Sequence, residues 1–374
     1  MKGVYPGDGE LDSFLGAPDL SVQDLFEEER FPNVIVAPDG TVVATWGAKS
    51  LVVRRSEDGG STWDQQTSVG EGIHAGGTTV DETTGEIFFW GHPEHPPKGG
   101  VAAPRTLYVS PDTGRTWQER TVNYALDRDG YLPALHFAEH GISLRAAPHA
   151  GRLLRPARVY SIRNGYNLAI YSDDSGQTWH VSDPLPVDGT GEGCVVELSD
   201  GRILYSSRQH HFADDASMRW ERLYAISHDG GVSWREVAHS VALPDGPRYR
   251  GDEGRGANFN GHFGMAAGLV RLPIRERDVL VYSNADEAGH ERVRMTAWAS
   301  FDGGHSWPVK RLVDGGPSAY SSLESGRSGT PSEGWIYLQY EVRSGGGRLA
   351  RFNLSWLAKG EETGDGSIPD WALV

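Results

Sequence analysis

Cysteine is all but missing. Cys194 is the single one in 374 residues, which excludes an internal disulfide and leaves the redox compartment open. No apolar run approaches the length of about twenty residues that crosses a bilayer as a helix. The opening, MKGVYPGDGELDSF, lacks the apolar stretch of a secretory leader, so the chain is expected to be cytoplasmic or an exported enzyme stripped of its leader. Positive charge is in deficit: 35 Lys and Arg stand against 51 Asp and Glu, a formal net charge of −16. Nucleic acid and anionic membrane are therefore excluded as partners by long-range repulsion, and an anionic ligand would need arginines gathered locally. Stretches with helical periodicity are few, whereas Gly 49, Pro 21 and Trp 12 fit an all-β chain dense in turns.

What is abundant is one pattern, S-x-D-x-G-x-[ST]-W. It reads SEDGGSTW to Trp63, SPDTGRTW to Trp117, SDDSGQTW to Trp179, SHDGGVSW to Trp234 and SFDGGHSW to Trp307, with tryptophan intervals of 54, 62, 55 and 73 residues. A fixed period of this size marks an array of like units. Each copy follows an apolar or β-rich run (LVVRR, RTLYVS, YNLAIYS, RLYAIS, RMTAWAS), so the Asp-x-Gly segment falls where a strand ends and a hairpin turns. The aspartate accepts amide protons of its own turn, glycine supplies positive φ, and tryptophan packs the turn on its neighbour. Acids spread over successive units cannot converge on one site, so these five are structural. The period gives about six units, and radial repetition lets so long a chain fold without one oversized core. The expected fold is a six-bladed β-propeller over residues 25–357, with an N-terminal tail 1–24 and a C-terminal tail 358–374.

These boxes resemble the Asp boxes of the sialidase (neuraminidase) superfamily, and the rest of the chain is similar to bacterial-type exo-sialidases at several separated points. Arg30-Phe31-Pro32 opens RFPNVIVAPDGTVVA where that family has Arg-Ile-Pro. The stretches HGISLRAAPHAGRLLRP and GTGEGCVVELSDGRILYSSR also look like family text. The resemblance implies a six-bladed propeller with three arginines, Arg30, Arg208 and Arg294, around a substrate carboxylate. It implies Tyr320, in Tyr320-Ser321-Ser322, as nucleophile, Glu192 as its base, and Glu341 in WIYLQYE as the anchor of Arg30. Arg292 competes with Arg294, since a side-chain period of two puts both on one strand face; register with Asp302 favours Arg294. These residue types suit a single chemistry, because guanidinium forks bind a carboxylate through paired, charge-assisted bonds. A neutral tyrosine activated by glutamate can then attack without repelling the anion.

The resemblance breaks at two points. The loop expected to carry the acid/base aspartate, within VATWGAKSLVVRRSEDGG, has no acid between Asp39 and Glu57, and the aspartate that helps hold an N-acetyl group falls on or near Ala75. Either another residue supplies the proton, with His74 best placed and His92, Glu94 or His95 next, or the chemistry has changed. The expected function is an exo-glycosidase acting on a terminal 2-keto acid sugar, sialic acid or a related nonulosonic acid. A lyase on a uronic-acid glycan and an inactive carbohydrate-binding propeller are the alternatives. Asn260 and His262, in RYRGDEGRGANFNGHFGMAAG, are expected to contact sugar hydroxyls. Trp46 would stack on a sugar or pack its blade, and the run Gln209-His210-His211-Phe212-Ala213-Asp214 would line the rim. No cofactor and no metal are expected, since no ligand spacing is complete; the partner is an acidic sugar of a glycan.

Overall fold

The computed structural model describes residues 7–74, 76–95, 104–135, 139–159, 165–209, 221–246, 264–287, 291–342 and 345–373. They form an all-β propeller whose sheets follow one another along the chain. The first runs through Asn33–Val36, Val42–Trp46, Ser50–Ser56 and Thr67–Glu71 in sequence order. The second centres on Ile87–His92 and Thr106–Ser110, the third on Leu153–Val159 and Tyr166–Ser172, and the fourth on Thr190–Glu197, Ile203–Gln209 and Glu221–Ser227. The last sheet has eight strands. Its 17-residue strand Val309–Ser325 pairs with Val293–Ser300 along its first half and with Ile336–Val342 along its second. The repeat period implies separate sheets throughout; here one strand runs through two, so the described residues form five sheets instead of six.

The stretch expected as an N-terminal tail holds a strand, Leu20–Phe26, that pairs antiparallel with Gly347–Phe352. Near the other end, FNLSWLAK finishes that last strand and continues as the helix Leu354–Ala358, capped by the Asn353 side chain accepting from Trp356 N–H. Glu361–Glu362 then pairs with the long strand. Both stretches read as tails are thus packed on the array, because edge strands left open would expose unpaired amides and carbonyls.

The repeated box explains the packing. Asp58 Oδ1 accepts from Ser61 N–H and Thr62 N–H, and Oδ2 accepts from Thr62 Oγ1 at 2.6 Å. Asp112, Asp229 and Asp302 repeat that pattern with Thr116, Ser233 and Ser306. Each aspartate thus satisfies its own turn. Burial alone would raise the Asp58 pKa, but the donors of the turn hold it down to about 2. The tryptophan packs between sheets: Trp179 meets Trp90 edge-on at 5.3 Å, and Trp234 meets Tyr205 at 4.9 Å. Gly176 has φ +78°, and a Cβ there would lie 2.6 Å from the Phe88 ring, so only glycine lets the turn approach so closely. Apolar cores therefore lie between neighbouring sheets, such as the one joining Cys194, Leu204, Tyr282 and Trp298, and inner strands such as Asn33–Val36 and Val42–Trp46 are buried on both faces.

Candidate active site

Three strands from separated parts of the chain bring polar side chains together at one buried point. Glu192 sits where the pairing of Thr190–Glu197 with its neighbour shifts register between Thr190 and Gly193. Tyr320 sits on a similar shift between Ser318 and Ser321. Such bulges re-aim a side chain out of the regular alternation. Tyr320 is 8% exposed and Glu192 2%. The Tyr320 hydroxyl donates to Glu192 Oε1 at 2.9 Å. Arg208, at the end of Ile203–Gln209, donates through one nitrogen both to Glu192 Oε2 and to the Tyr320 oxygen. Burial would raise the Glu192 pKa, but Arg208 and Arg158 hold it down to about 2.

Arg30 is fixed from the far end of the chain. Its Nε and second terminal nitrogen donate to the two oxygens of Glu341 at 3.1 and 2.9 Å. The same carboxylate accepts from Phe31 N–H at 3.0 Å and Tyr320 N–H at 3.3 Å. Glu29 and Phe31, on either side of Arg30, have φ of +67° and +79°. Such backbone is costly for residues with a Cβ and persists only where neighbours over-determine it. The Arg30 guanidinium carbon lies 5.1 Å from the Tyr320 ring centroid.

The two arginines weighed for the third position are placed differently. Arg292 places its guanidinium carbon 5.1 Å from the Tyr320 ring and donates to the Gly264 carbonyl. Arg294 is exposed, has φ +64° and donates to the Asp286 carbonyl. The pairing register shifts between Val293 and Met295, so the two-residue alternation that would put both arginines on one face is broken at Arg294.

His74, expected to be best placed to supply the proton, is closed off from solvent. It is fully buried against Phe89; Gly76 N–H donates to its Nδ1 at 2.8 Å, so the ring proton sits on Nε2 and goes to Thr45 Oγ1 at 2.7 Å. Burial, aided by Arg155, lowers its pKa to about 3, leaving it neutral with its one ring proton committed to Thr45. His92 is similarly sealed, between the Pro104 carbonyl and Leu135 N–H, with its pKa also lowered to about 3 by burial first. Glu94 and His95 lie exposed, beyond the end of the strand that carries His92. The shortened loop itself is closed by Glu29, whose Oε2 accepts from Ala48, Lys49 and Ser50 N–H. Trp46 is core, stacked on Phe26 at 5.3 Å.

The histidines carry an acid-stability prediction. A folded pKa near 3 against an ordinary value of 6.5 means that the unfolded chain binds protons the folded one refuses. Stability is then complete above about pH 6.5 and falls as pH drops from there toward about 3, by up to roughly 1.4 kcal/mol per pH unit for each histidine. Urea midpoints measured from pH 7 to pH 5 should decline, and His74→Gln should decline less steeply; equal slopes would contradict the neutral, buried assignment.

Asn260, His262, His210, His211 and Asp214 lie outside the described residues. Among the described residues, no group of three or more His, Cys, Asp or Glu is placed to hold a metal ion. Two residues carry no motif and escape a reading of the sequence. Arg158, within the apolar strand LLRPARV, approaches Glu192 Oε1 at 3.8 Å. Glu139, 6% exposed, lines the same small cavity as Tyr320 and Glu192, and its Oε1 accepts from Asn33 Nδ2, Ser322 Oγ and His140 N–H. An acid set in apolar sequence is the only signal for it. Cys194, two residues past Glu192, is fully buried, and burial pushes its thiol up to about 11. A larger cavity, beside Glu82, Glu197, Arg271 and Glu324, holds none of the expected site residues.

The fold and sequence have known counterparts. The family described as BNR repeat-like domain matches residues 76–331. A sialidase of Micromonospora viridifaciens is 32% identical over 400 residues, covering 96% of this chain and 57% of that protein; the chain therefore spans little more than half of that relative's length. A sialidase of Clostridium perfringens is 23% identical over 68% of this chain and 73% of its own. Among solved structures, a Hadza microbial sialidase has a TM-score of 0.65 at 22% identity, covering 88% of this chain and 66% of its own. An intramolecular trans-sialidase from Ruminococcus gnavus has a TM-score of 0.65 at 15% identity, covering 94% and 97%.

Proposed function

We propose that this chain, which belongs to the bacterial-type sialidase superfamily of BNR-repeat proteins, is a glycoside hydrolase that removes a terminal 2-keto acid sugar with retention of configuration. The observation that carries the reading is the buried Tyr320–Glu192 pair, 2.9 Å apart, ringed by Arg30, Arg208 and Arg292. Counting the eight-stranded sheet as two blades that share Val309–Ser325 makes the array a six-bladed propeller, with the central domain expected over 25–357 as its body.

Arg30, Arg208 and Arg292 bind the sugar's carboxylate, and Glu341 holds Arg30 in place for it. Tyr320 oxygen attacks the anomeric carbon as its proton passes to Glu192, and the bond to the aglycone oxygen breaks. With no acid on the shortened loop, the departing oxygen takes its proton from water. The hydroxide so formed displaces the tyrosine, which recovers its proton from Glu192. The sealing of His74 and His92 counts against the lyase alternative, which needs a histidine to exchange protons with substrate.

Purified protein should cleave aryl glycosides of N-acetylneuraminic acid, or of its deaminated analogue, since an aryl leaving group departs with little acid assistance. The preference between them reports what Ala75 has done to the N-acetyl pocket. Silence on both would overturn the hydrolase reading in favour of binding alone. Within that assay, Arg292→Ala should raise KM by about a hundredfold, as expected for loss of a charge-assisted carboxylate contact, whereas Arg294→Ala should change it by less than about threefold. The reverse order would restore Arg294.

A further inference from the structure

Arg208 has two roles in the proposed mechanism that draw its guanidinium toward two different anions. It is assigned to the substrate carboxylate, yet it lies on Glu192 and on the Tyr320 oxygen. A guanidinium that turns toward an incoming anion loosens its hold on the base. Glu192 would then be a carboxylate almost wholly removed from water, which favours protonation and lets the side chain swing away from Tyr320.

Arg158 supplies what Arg208 gives up. Its terminal nitrogen lies 3.8 Å from Glu192 Oε1, the oxygen that accepts the Tyr320 proton, and the two side chains are 6% and 1% exposed. It comes from Leu153–Val159, in the sheet before that of Glu192 and Arg208, so its position is set independently of Arg208. Its charge is felt by Glu192, Tyr320, Arg208 and Tyr205. We propose that Arg158 is a positioning residue that keeps the Glu192 carboxylate charged and aimed at Tyr320 when Arg208 turns to the carboxylate of the bound sugar. This rests on the hydrolase reading and adds to it a division of labour between two buried arginines.

The other groups around Glu192 are Tyr320, Arg30, Arg208, Arg222, which donates to the Glu192 carbonyl, and Glu139 across the shared cavity. Asp245, paired with Arg222 and pushed up to about 6 by burial, also titrates in the range of interest. All are common to wild type and variant, so they cancel in the comparison.

The test is the pH dependence of two kinetic quantities for an aryl sialoside. The limb of kcat/KM reports the free enzyme, where Arg208 still covers Glu192; the limb of kcat reports the complex, where it does not. Arg158→Gln should move the acidic limb of kcat upward by about one to two pH units and that of kcat/KM by distinctly less. Arg158→Lys, which keeps the charge, should return the kcat limb to within about half a unit of wild type. Activity lowered equally at every pH, with neither limb moved, would mean that Arg158 only packs the blade and would overturn the proposal. Should Arg158→Gln not fold, carboxyl-carbon NMR decides on Arg158→Lys and wild type. The Glu192 signal, assigned by its loss in Glu192→Gln, should titrate at low pH in both with N-acetylneuraminic acid bound; a strong upward shift on binding in wild type would overturn it. A wild type silent toward both aryl glycosides defeats the hydrolase reading, while the Glu192 titration, compared between wild type and Arg158→Gln, still reports whether Arg158 governs Glu192.

Discussion

Tyr320→Phe lowers kcat on an aryl glycoside by about a thousandfold or more, with binding of the free acid sugar kept within about threefold. The substitution removes one atom. The ring stays where Arg30 and Arg292 approach it, each 5.1 Å from its centroid, and the backbone amide keeps Glu341. Two hydrogen bonds vanish, those with Glu192 and Arg208, at a stability cost of about 1–2 kcal/mol. The three arginines proposed to bind the carboxylate are untouched, so KM and inhibitor affinity should hardly move. What is lost is the oxygen that, on the proposed mechanism, attacks the anomeric carbon. Rapid-quench measurements should show a glycosyl-enzyme adduct in wild type and none in the variant. A kcat within about tenfold of wild type would remove Tyr320 from the chemistry.

Glu341→Ala acts on binding and on the fold together. One buried carboxylate serves Arg30, the amide of Phe31 and the amide of Tyr320. Truncation leaves two amides in need of partners, each worth about 1–3 kcal/mol when buried, and frees Arg30 to wander through solvent. The expected result is a KM raised by about a hundredfold, a kcat lowered by less, and a melting temperature down by roughly 5–10 °C. Because the Arg30 side chain is nearly half exposed, the ion pair as such contributes little; the amides and the arginine's orientation carry the effect. Glu341→Gln, which can still accept from both amides, should recover most of the melting temperature while KM stays high. If both variants melt with wild type, the carboxylate is not the strut that its bonds suggest.

How much of this is legible in the sequence depends on whether the signal is local. The boxes are, because Asp58 and its counterparts satisfy amides within four residues of themselves, and so the pattern alone marks those aspartates as structural. Tyr320 and Glu192 are 128 residues apart; they are found through resemblance to a family, which carries long-range information that spacing does not. Strand alternation puts Arg292 and Arg294 on one face and register favours Arg294, but a bulge between Val293 and Met295 breaks the alternation without leaving a mark in the sequence. His74, set among glycines on the stretch that follows the shortened loop, reads as the residue best placed to supply a proton. Its two-residue strand pairs with Gly91 and His92, and that pairing seals it. Arg158 has no motif at all, because its meaning comes from a partner in the next sheet.

The buried thiol gives the molecule a timepiece. Cys194 lies two residues from Glu192 in the same strand, inside the core between two sheets, and its fully buried, high-pKa sulfur is closed to alkylation while that strand stays paired. A reagent can therefore label it only during an opening that also carries the base away from its tyrosine. Labelling should keep pace with irreversible loss of turnover, reaching a plateau rate at high reagent concentration that equals the frequency of the opening itself. The working life of the enzyme would then be set by how often a single sheet breathes.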